Sequence, residues 1–188
     1  TVWRQADKYR VPRIALINKM DRAGADFLKS LESMKKKLHA RPVAIQVPLG
    51  SEEKFEGIID LIRMKAYIYR AETLGAEYDE IEIPSEFVSD AESWREKLIE
   101  AVVETDNRLL EKYVAEEEIG EKELLDVIRQ GTISLQFTPC VCGSAFKNKG
   151  IQPLLDAVVD FLPSPVDVPP MEGINPDSQD VDCLLYTS

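Results

Sequence analysis

Apolar positions along the chain come in two styles. In the outer parts they form short runs beside helical stripes. Arg13-Ile14-Ala15-Leu16-Ile17 follows Pro12 as an apolar run too short for a helix, and it predicts a buried parallel strand. A polar loop with Gly24 comes next. Asp26 then caps a helix to about Ala40, with Phe27, Leu31, Met34 and Leu38 at three- and four-residue spacing. Pro42 breaks that helix, and the alternation of Val43, Ile45 and Val47 predicts one strand over 43–49. Thr138–Cys142 is a further short apolar strand. Gly150 opens a last helix, with Leu154, Leu155, Val158 and Phe161 expected to face inward. Residues 1–10 read as a helix with Trp3 and Ala6 on one face.

The middle of the chain differs. Phe55–Ile62, Lys65–Ala71 and Tyr78–Ile83 are three short strand candidates with tight connections, and Gly75 marks a turn. Helical segments follow at about 85–104, 106–117 and 121–131, with start and stop signals at Ser85, Asp106 and Gly120-Glu121. In the first of them Trp94, Leu98, Ala101 and Val102 make the inward stripe. The outer parts therefore predict half of an open α/β sheet, and the middle an antiparallel α+β insert.

Composition narrows the function. The chain has 188 residues, 23 Lys+Arg and 34 Asp+Glu, for a net charge of −11. At 44% apolar and 30% charged residues it is a folding sequence, not a disordered one. Its acidity argues against a general nucleic-acid binder. The charge is uneven. Residues 1–70 carry 15 basic and 8 acidic groups, whereas residues 77–126 carry 5 basic and 18 acidic. Such a window is a solvated helical surface or a docking face for a basic partner. No apolar run is long enough to span a membrane, so no membrane partner is expected. Three cysteines suit a reducing compartment, and Cys140 and Cys142, two apart on a strand, read as buried thiols without metal-ligand partners. Lys35-Lys36-Lys37 and His39 read as solvated groups at a helix end.

Candidate chemistry sits where two strands end. In open α/β sheets, ligands bind beyond the carboxyl ends of the strands. Here those ends carry Asn18-Lys19-Met20-Asp21 and Gly143-Ser144-Ala145. These residue types suit the reading of a guanine. The Asp21 carboxylate can accept from the ring N–H and the exocyclic amine, two donors that adenine lacks there. A mismatch leaves a desolvated carboxylate unpaired, at about 1–3 kcal/mol or more. Lys19 can lay its stem over the base plane. The Asn18 amide can brace neighbouring loops. Small side chains at Ser144-Ala145 would let backbone N–H groups approach the guanine carbonyl. The alternative is that Asn18 and Asp21 merely cap a turn.

Several stretches together resemble the translation elongation factor G family of translational GTPases. They are Trp3-Arg4-Gln5-Ala6, Val11-Pro12-Arg13-Ile14, Asn18-Lys19-Met20-Asp21-Arg22, Gly24-Ala25-Asp26-Phe27, Phe55-Glu56-Gly57-Ile58-Ile59-Asp60-Leu61, Gly143-Ser144-Ala145-Phe146-Lys147-Asn148-Lys149-Gly150 and Leu162-Pro163-Ser164-Pro165. The resemblance covers about residues 1–177. It implies an incomplete P-loop GTPase-type open sheet with an α+β insert. It further implies a cytoplasmic GTPase that drives movement of tRNA and mRNA on the ribosome. Guanine contacts are implied at Asn18, Lys19, Met20, Asp21, Ser144, Ala145 and Phe146. Partner contacts to the ribosomal stalk protein are implied on the acidic insert, for which Glu117 and Glu118 are the candidates.

The implied organisation is a first GTPase part at 1–49, an acidic insert at 50–131, the last GTPase strand and helix at 132–162 and a linker at 163–182. Residues 183–188 read as a non-native tail. No Gly-x-x-x-x-Gly-Lys-Ser/Thr loop occurs in the sequence, and the family's metal-binding Thr and catalytic His come from a portion amino-terminal to it. The chain is therefore expected to be a partial one without catalytic residues or Mg²⁺ ligands, inactive alone, poorly soluble alone, and contributing GTP/GDP base selectivity. Rival readings are another ribosome-associated GTPase, of the ribosome-protection or mitochondrial type, and a non-hydrolysing guanine-binding interaction module.

Overall fold

The computed structural model describes residues 1–70, 75, 77–165 and 167, together with the backbone of 171–174 and 181–184. Pro169, Pro170 and residues 185–188, where part of the linker and tail readings fall, lie outside the described residues. In chain order the elements are α1 (Val2–Lys8), β1 (Ala15–Ile17), α2 (Phe27–Leu38), β2 (Pro42–Ala44), β3 (Gln46–Leu49), β4 (Gly57–Asp60), β5 (Lys65–Tyr69), β6 (Tyr78–Ile81), α3 (Ser85–Val103), α4 (Asn107–Val114), α5 (Glu121–Ile133), β7 (Thr138–Cys142), α6 (Ile151–Phe161), β8 (Met171–Ile174) and β9 (Val181–Leu184).

Three strands make a parallel sheet in the order β1-β7-β2, with Ile17 opposite Cys142 and Ala44 opposite Cys140. Four make an antiparallel sheet in the order β3-β4-β5-β6. The single strand expected over 43–49 is thus two strands in two sheets. The chain changes sheet at Ile45, whose N–H donates to Cys140 O at 3.0 Å and whose O accepts Leu61 N–H at 3.1 Å. Nearly every residue from Pro42 to Leu49 is buried, so the apolar alternation runs through the junction without marking it. β8 and β9 pair antiparallel where the sequence predicts only a linker and tail.

Local signals explain several helix ends. Asp26 Oδ1 accepts Lys29 N–H at 2.8 Å at the start of α2, and His39 ends that helix in the left-handed region. Asp106 caps α4 by accepting Arg108 N–H and Leu109 N–H. Glu123 reaches back to the Gly120 N–H at the start of α5. Helix α2 packs Phe27 edge-on against Trp94 of α3, at 5.9 Å between ring centroids. Ile58, Ile59, Leu98, Val102, Leu109, Leu124 and Ile128 close the core around the antiparallel sheet. Arg129 of α5 binds the carbonyl oxygens of Asp160 and Leu162 and the Asp167 carboxylate, so one guanidinium satisfies the end of α6.

The face of α6 differs from expectation. Pro153, Ala157 and Phe161 are buried, whereas Leu155, Val158 and Val159 are exposed, Val159 at 77%. A helix apolar over most of its circumference has no unique stripe, so its neighbours decide which face is covered. Strand β1 is an edge strand, and all three of its apolar residues are only half buried.

Candidate functional site

Parallel pairing of β1 with β7 brings their carboxyl ends side by side, and the two polar loops leave the sheet together. Gly143 N–H donates to Ile17 O, and Met20 N–H donates to Gly143 O, each at 3.1 Å. The Asn18 side chain completes the junction. Its Oδ1 accepts Lys19 N–H at 2.7 Å and Ala145 N–H at 2.9 Å, which ties the first loop to the second across 127 positions of sequence. Lys19 takes a left-handed backbone (φ 66°), and its side chain is exposed.

The second loop is a closed turn. Ser144 and Lys149 exchange two backbone hydrogen bonds, Ser144 N–H to Lys149 O at 2.9 Å and Lys149 N–H to Ser144 O at 3.1 Å. Gly143 and Gly150 make this approach possible. A Cβ on Gly143 would lie 2.5 Å from Lys149 O, and Gly150 sits at φ 83° with its would-be Cβ 2.5 Å from Cys142 O.

Asp21 lies between the loops with its side chain 8% exposed, and Lys147 Nζ stands 3.3 Å from its Oδ2. The nearby Ser144 hydroxyl and the Lys147 ammonium hold the Asp21 carboxyl below the ordinary carboxylate range, against the opposing effect of burial. Ser144 is 1% exposed and its Oγ has no hydrogen-bond partner. An ionised carboxylate with little exposed surface, between two loops, is a chemical fit for a planar base offering two N–H donors.

The other candidates take various places. Met20 is buried in the core, with N–H on Gly143 O and O accepting Glu52 N–H, so it supports the loop from beneath. Phe146 is 91% exposed at the rim. The two N–H groups expected to meet a guanine carbonyl are occupied, Ser144's by Lys149 O and Ala145's by Asn18, which leaves that of Phe146 as the next donor along the turn. Glu117 and Glu118 lie far along the chain from these loops. They line a cavity of about 590 Å³ with Arg95, Ile99, Tyr113, Val114 and Ile119. Cys140 and Cys142 are free and buried, and burial pushes the Cys140 thiol up to about 12. His39 is exposed.

Three contacts near the loops go beyond the sequence reading: Lys147 on Asp21, Glu52 on the first loop, and Lys149, whose Nζ donates to Phe55 O at 2.8 Å. Their partners are distant in sequence, so no local spacing announces them. A cavity of about 430 Å³ opens beside the first loop, lined by Asn18, Lys19, Arg22, Gly24 and Lys29. A larger one of about 760 Å³, bordered by Arg4, Arg13, Lys37 and Arg41, lies near the amino-terminal ends of β2 and β7, the wrong end for a ligand of such a sheet. Among the described residues no group of three or more acids, histidines and cysteines is placed to hold a metal ion. Nor is any helix among them long and apolar enough to cross a membrane.

Polar loops at the carboxyl edge of a parallel sheet place the fold with nucleotide-binding α/β domains. Residues 1–164 match the elongation factor Tu GTP-binding domain, and the chain belongs to that family of GTP-binding domains. Among solved structures it is similar to a protein from Thermus thermophilus, with a TM-score of 0.77 and 31% identity over 92% of this chain. The chain spans 26% of the length of that protein.

Proposed function

We propose that the chain is the guanine-reading part of a translational GTPase of the elongation factor G type. The observation that carries this reading is the junction of the two loops: Asn18 Oδ1 on Ala145 N–H, with the ionised Asp21 carboxylate enclosed beside it. In this reading Asp21 accepts the ring N–H and exocyclic amine of GTP or GDP. Lys19 covers the base, Asn18 locks the loops in register, and Phe146 and the Ser144-Ala145 turn border the carbonyl side. The base must displace Lys147 from Asp21, which its half-exposed side chain permits.

Hydrolysis in this reading belongs to the rest of the protein. Phosphoryl transfer to water needs phosphate-binding donors and Mg²⁺ ligands, and the Gly-x-x-x-x-Gly-Lys-Ser/Thr loop that supplies them in such enzymes does not occur in this sequence. The half-buried edge strand β1 and the exposed apolar face of α6 support a domain completed by further chain. The whole protein then acts at the ribosome in the cytoplasm, moving tRNA and mRNA through domains beyond this one. The acidic insert around Glu117 and Glu118 faces the stalk protein. Competition on the intact protein tests the core of the proposal. Unlabelled GDP is expected to displace labelled GDP at concentrations at least a hundredfold below those needed for ADP, a ratio in the range set by unpaired polar groups in a site (roughly 10²–10⁵). Equal displacement by both would refute it.

A further inference from the structure

The two base-recognition loops are not held by the parallel sheet alone. Residues 50–55, which lead from β3 toward β4, are fastened to both. Glu52 N–H donates to Met20 O at 3.0 Å, and Glu52 Oε1 accepts Gly24 N–H at 2.7 Å. One residue thereby grips the first loop on either side of Asp21. From the second loop, Lys149 donates to Phe55 O at 2.8 Å. That bond draws the ammonium partly out of water, and desolvation lowers the Lys149 pKa.

The backbone here is unusual. Glu52 holds φ 56°, a region that costs any residue with a Cβ. Strain of this kind persists only where the surroundings over-determine it, and it gathers at functional sites. At Glu52 two bonds run to the loop that carries Asp21, and a third, its O accepting Phe55 N–H at 3.1 Å, closes the local turn. Gly50, at φ 80°, turns the chain so tightly that a Cβ would meet Lys54 O at 2.0 Å. The segment is thus shaped to reach the loops, and neither Glu52 nor Lys149 has a part in the hydrophobic core.

We propose that Glu52 and Lys149 are positioning residues for base recognition, tying the entrance of the insert to both guanine loops so that the grip on the base depends on this segment. The proposal rests on the guanine reading of Asp21. Guanine and hypoxanthine differ only in the exocyclic amine. A carboxylate that meets both the ring N–H and that amine must keep its orientation, whereas one that meets the ring N–H alone has latitude. Loosening either tie therefore weakens guanine more than hypoxanthine. The same ties connect the insert mechanically to the nucleotide, so a partner that shifts residues 50–55 alters nucleotide release.

The test uses the intact protein loaded with N-methylanthraniloyl-GDP or the corresponding IDP, following release of each. Glu52→Ala and Lys149→Met are expected to speed GDP release roughly tenfold, the size of one charge-assisted hydrogen bond. IDP release should change less, so the preference for GDP over IDP shrinks. Glu52→Gln keeps an acceptor and Lys149→Arg keeps a donor, and both are expected to restore slow release. Glu52→Gly relaxes the backbone while removing the carboxylate. Its melting temperature should not fall, yet its GDP release should still be fast, which separates positioning from folding. Unchanged release in the Ala, Met and Gly variants overturns the proposal, as does acceleration of GDP and IDP by one common factor. Wild-type protein that shows no preference for GDP over IDP instead overturns the guanine reading itself.

Discussion

Two carboxylates in two parts of the molecule have opposite surroundings. Asp60 ends β4 in the antiparallel sheet. It is buried and accepts Ile62 N–H at 2.8 Å and Arg63 N–H at 3.0 Å, with the Tyr67 hydroxyl at 3.3 Å. Burial raises its pKa despite those bonds. Asp21, at the carboxyl edge of the parallel sheet, has its pKa lowered by Ser144 and Lys147. Asp60 commits its acceptors to its own backbone and ends a strand. Asp21 is faced instead by side chains, the half-exposed Lys147 ammonium at 3.3 Å and the Ser144 hydroxyl, and in the proposed reading its acceptors serve a base. The contrast extends to the packing around each. Beside Asp60 in the chain, Ile58, Ile59 and Leu61 are buried, and each inner strand of the sheet has a partner on both sides. Around Asp21 the sheet ends at the half-buried β1, and α6 turns Leu155 and Val159 outward.

Truncation is the bluntest way to break that comparison. Leu98→Ala opens a cavity in a closed core and is expected to cost about 2–5 kcal/mol. Leu155→Ala removes a side chain that is 59% exposed, and the expected change is within about 0.5 kcal/mol. Urea unfolding of the two variants measures both. Equal losses would mean that α6 is covered and that the two regions are alike.

A smaller effect, of opposite sign at the two acids, sharpens it. Asp60 has its folded pKa raised above the ordinary value of 3.8. Its contribution to stability is full below that value and is lost as pH rises through the folded pKa. Asp21 has its folded pKa lowered, so its contribution is present above 3.8 and is lost as pH falls through the folded pKa. Relative to wild type, Asp60→Asn should therefore gain stability as pH rises from 3 to about 7, and Asp21→Asn should lose it. The Asp21 change is the weaker, because Lys147 is half exposed and screened. Urea midpoints at several pH values report the two slopes. Parallel slopes would contradict the assignment of the two environments.

Much of this was legible in the chain. Asp26 with Phe27, Leu31 and Met34 specified α2, and Asp106 specified the start of α4, because a cap and a helical stripe are local events. Asn18, Asp21 and Ser144 stood out because polar residues directly after apolar strands have few structural uses. What escaped depends on partners. The alternation of Val43, Ile45 and Val47 gives a face but not a sheet, so the change of sheet at Ile45 was invisible. The outward face of α6 depends on which neighbours are present. The ties of Glu52 to Gly24 and of Lys149 to Phe55 join residues 28 and 94 positions apart, beyond any periodic signal.

The most direct measurement is the base preference of the intact protein after Asp21→Asn. An amide in place of the carboxylate offers an N–H where guanine also has one, and it matches the 2-oxo group of xanthine instead. Reading of the base by Asp21 predicts that GDP binding falls by about a hundredfold or more while xanthosine diphosphate binding rises, so that the order of preference reverses. An unchanged preference for GDP in that variant would show that the carboxylate at position 21 does not contact the base.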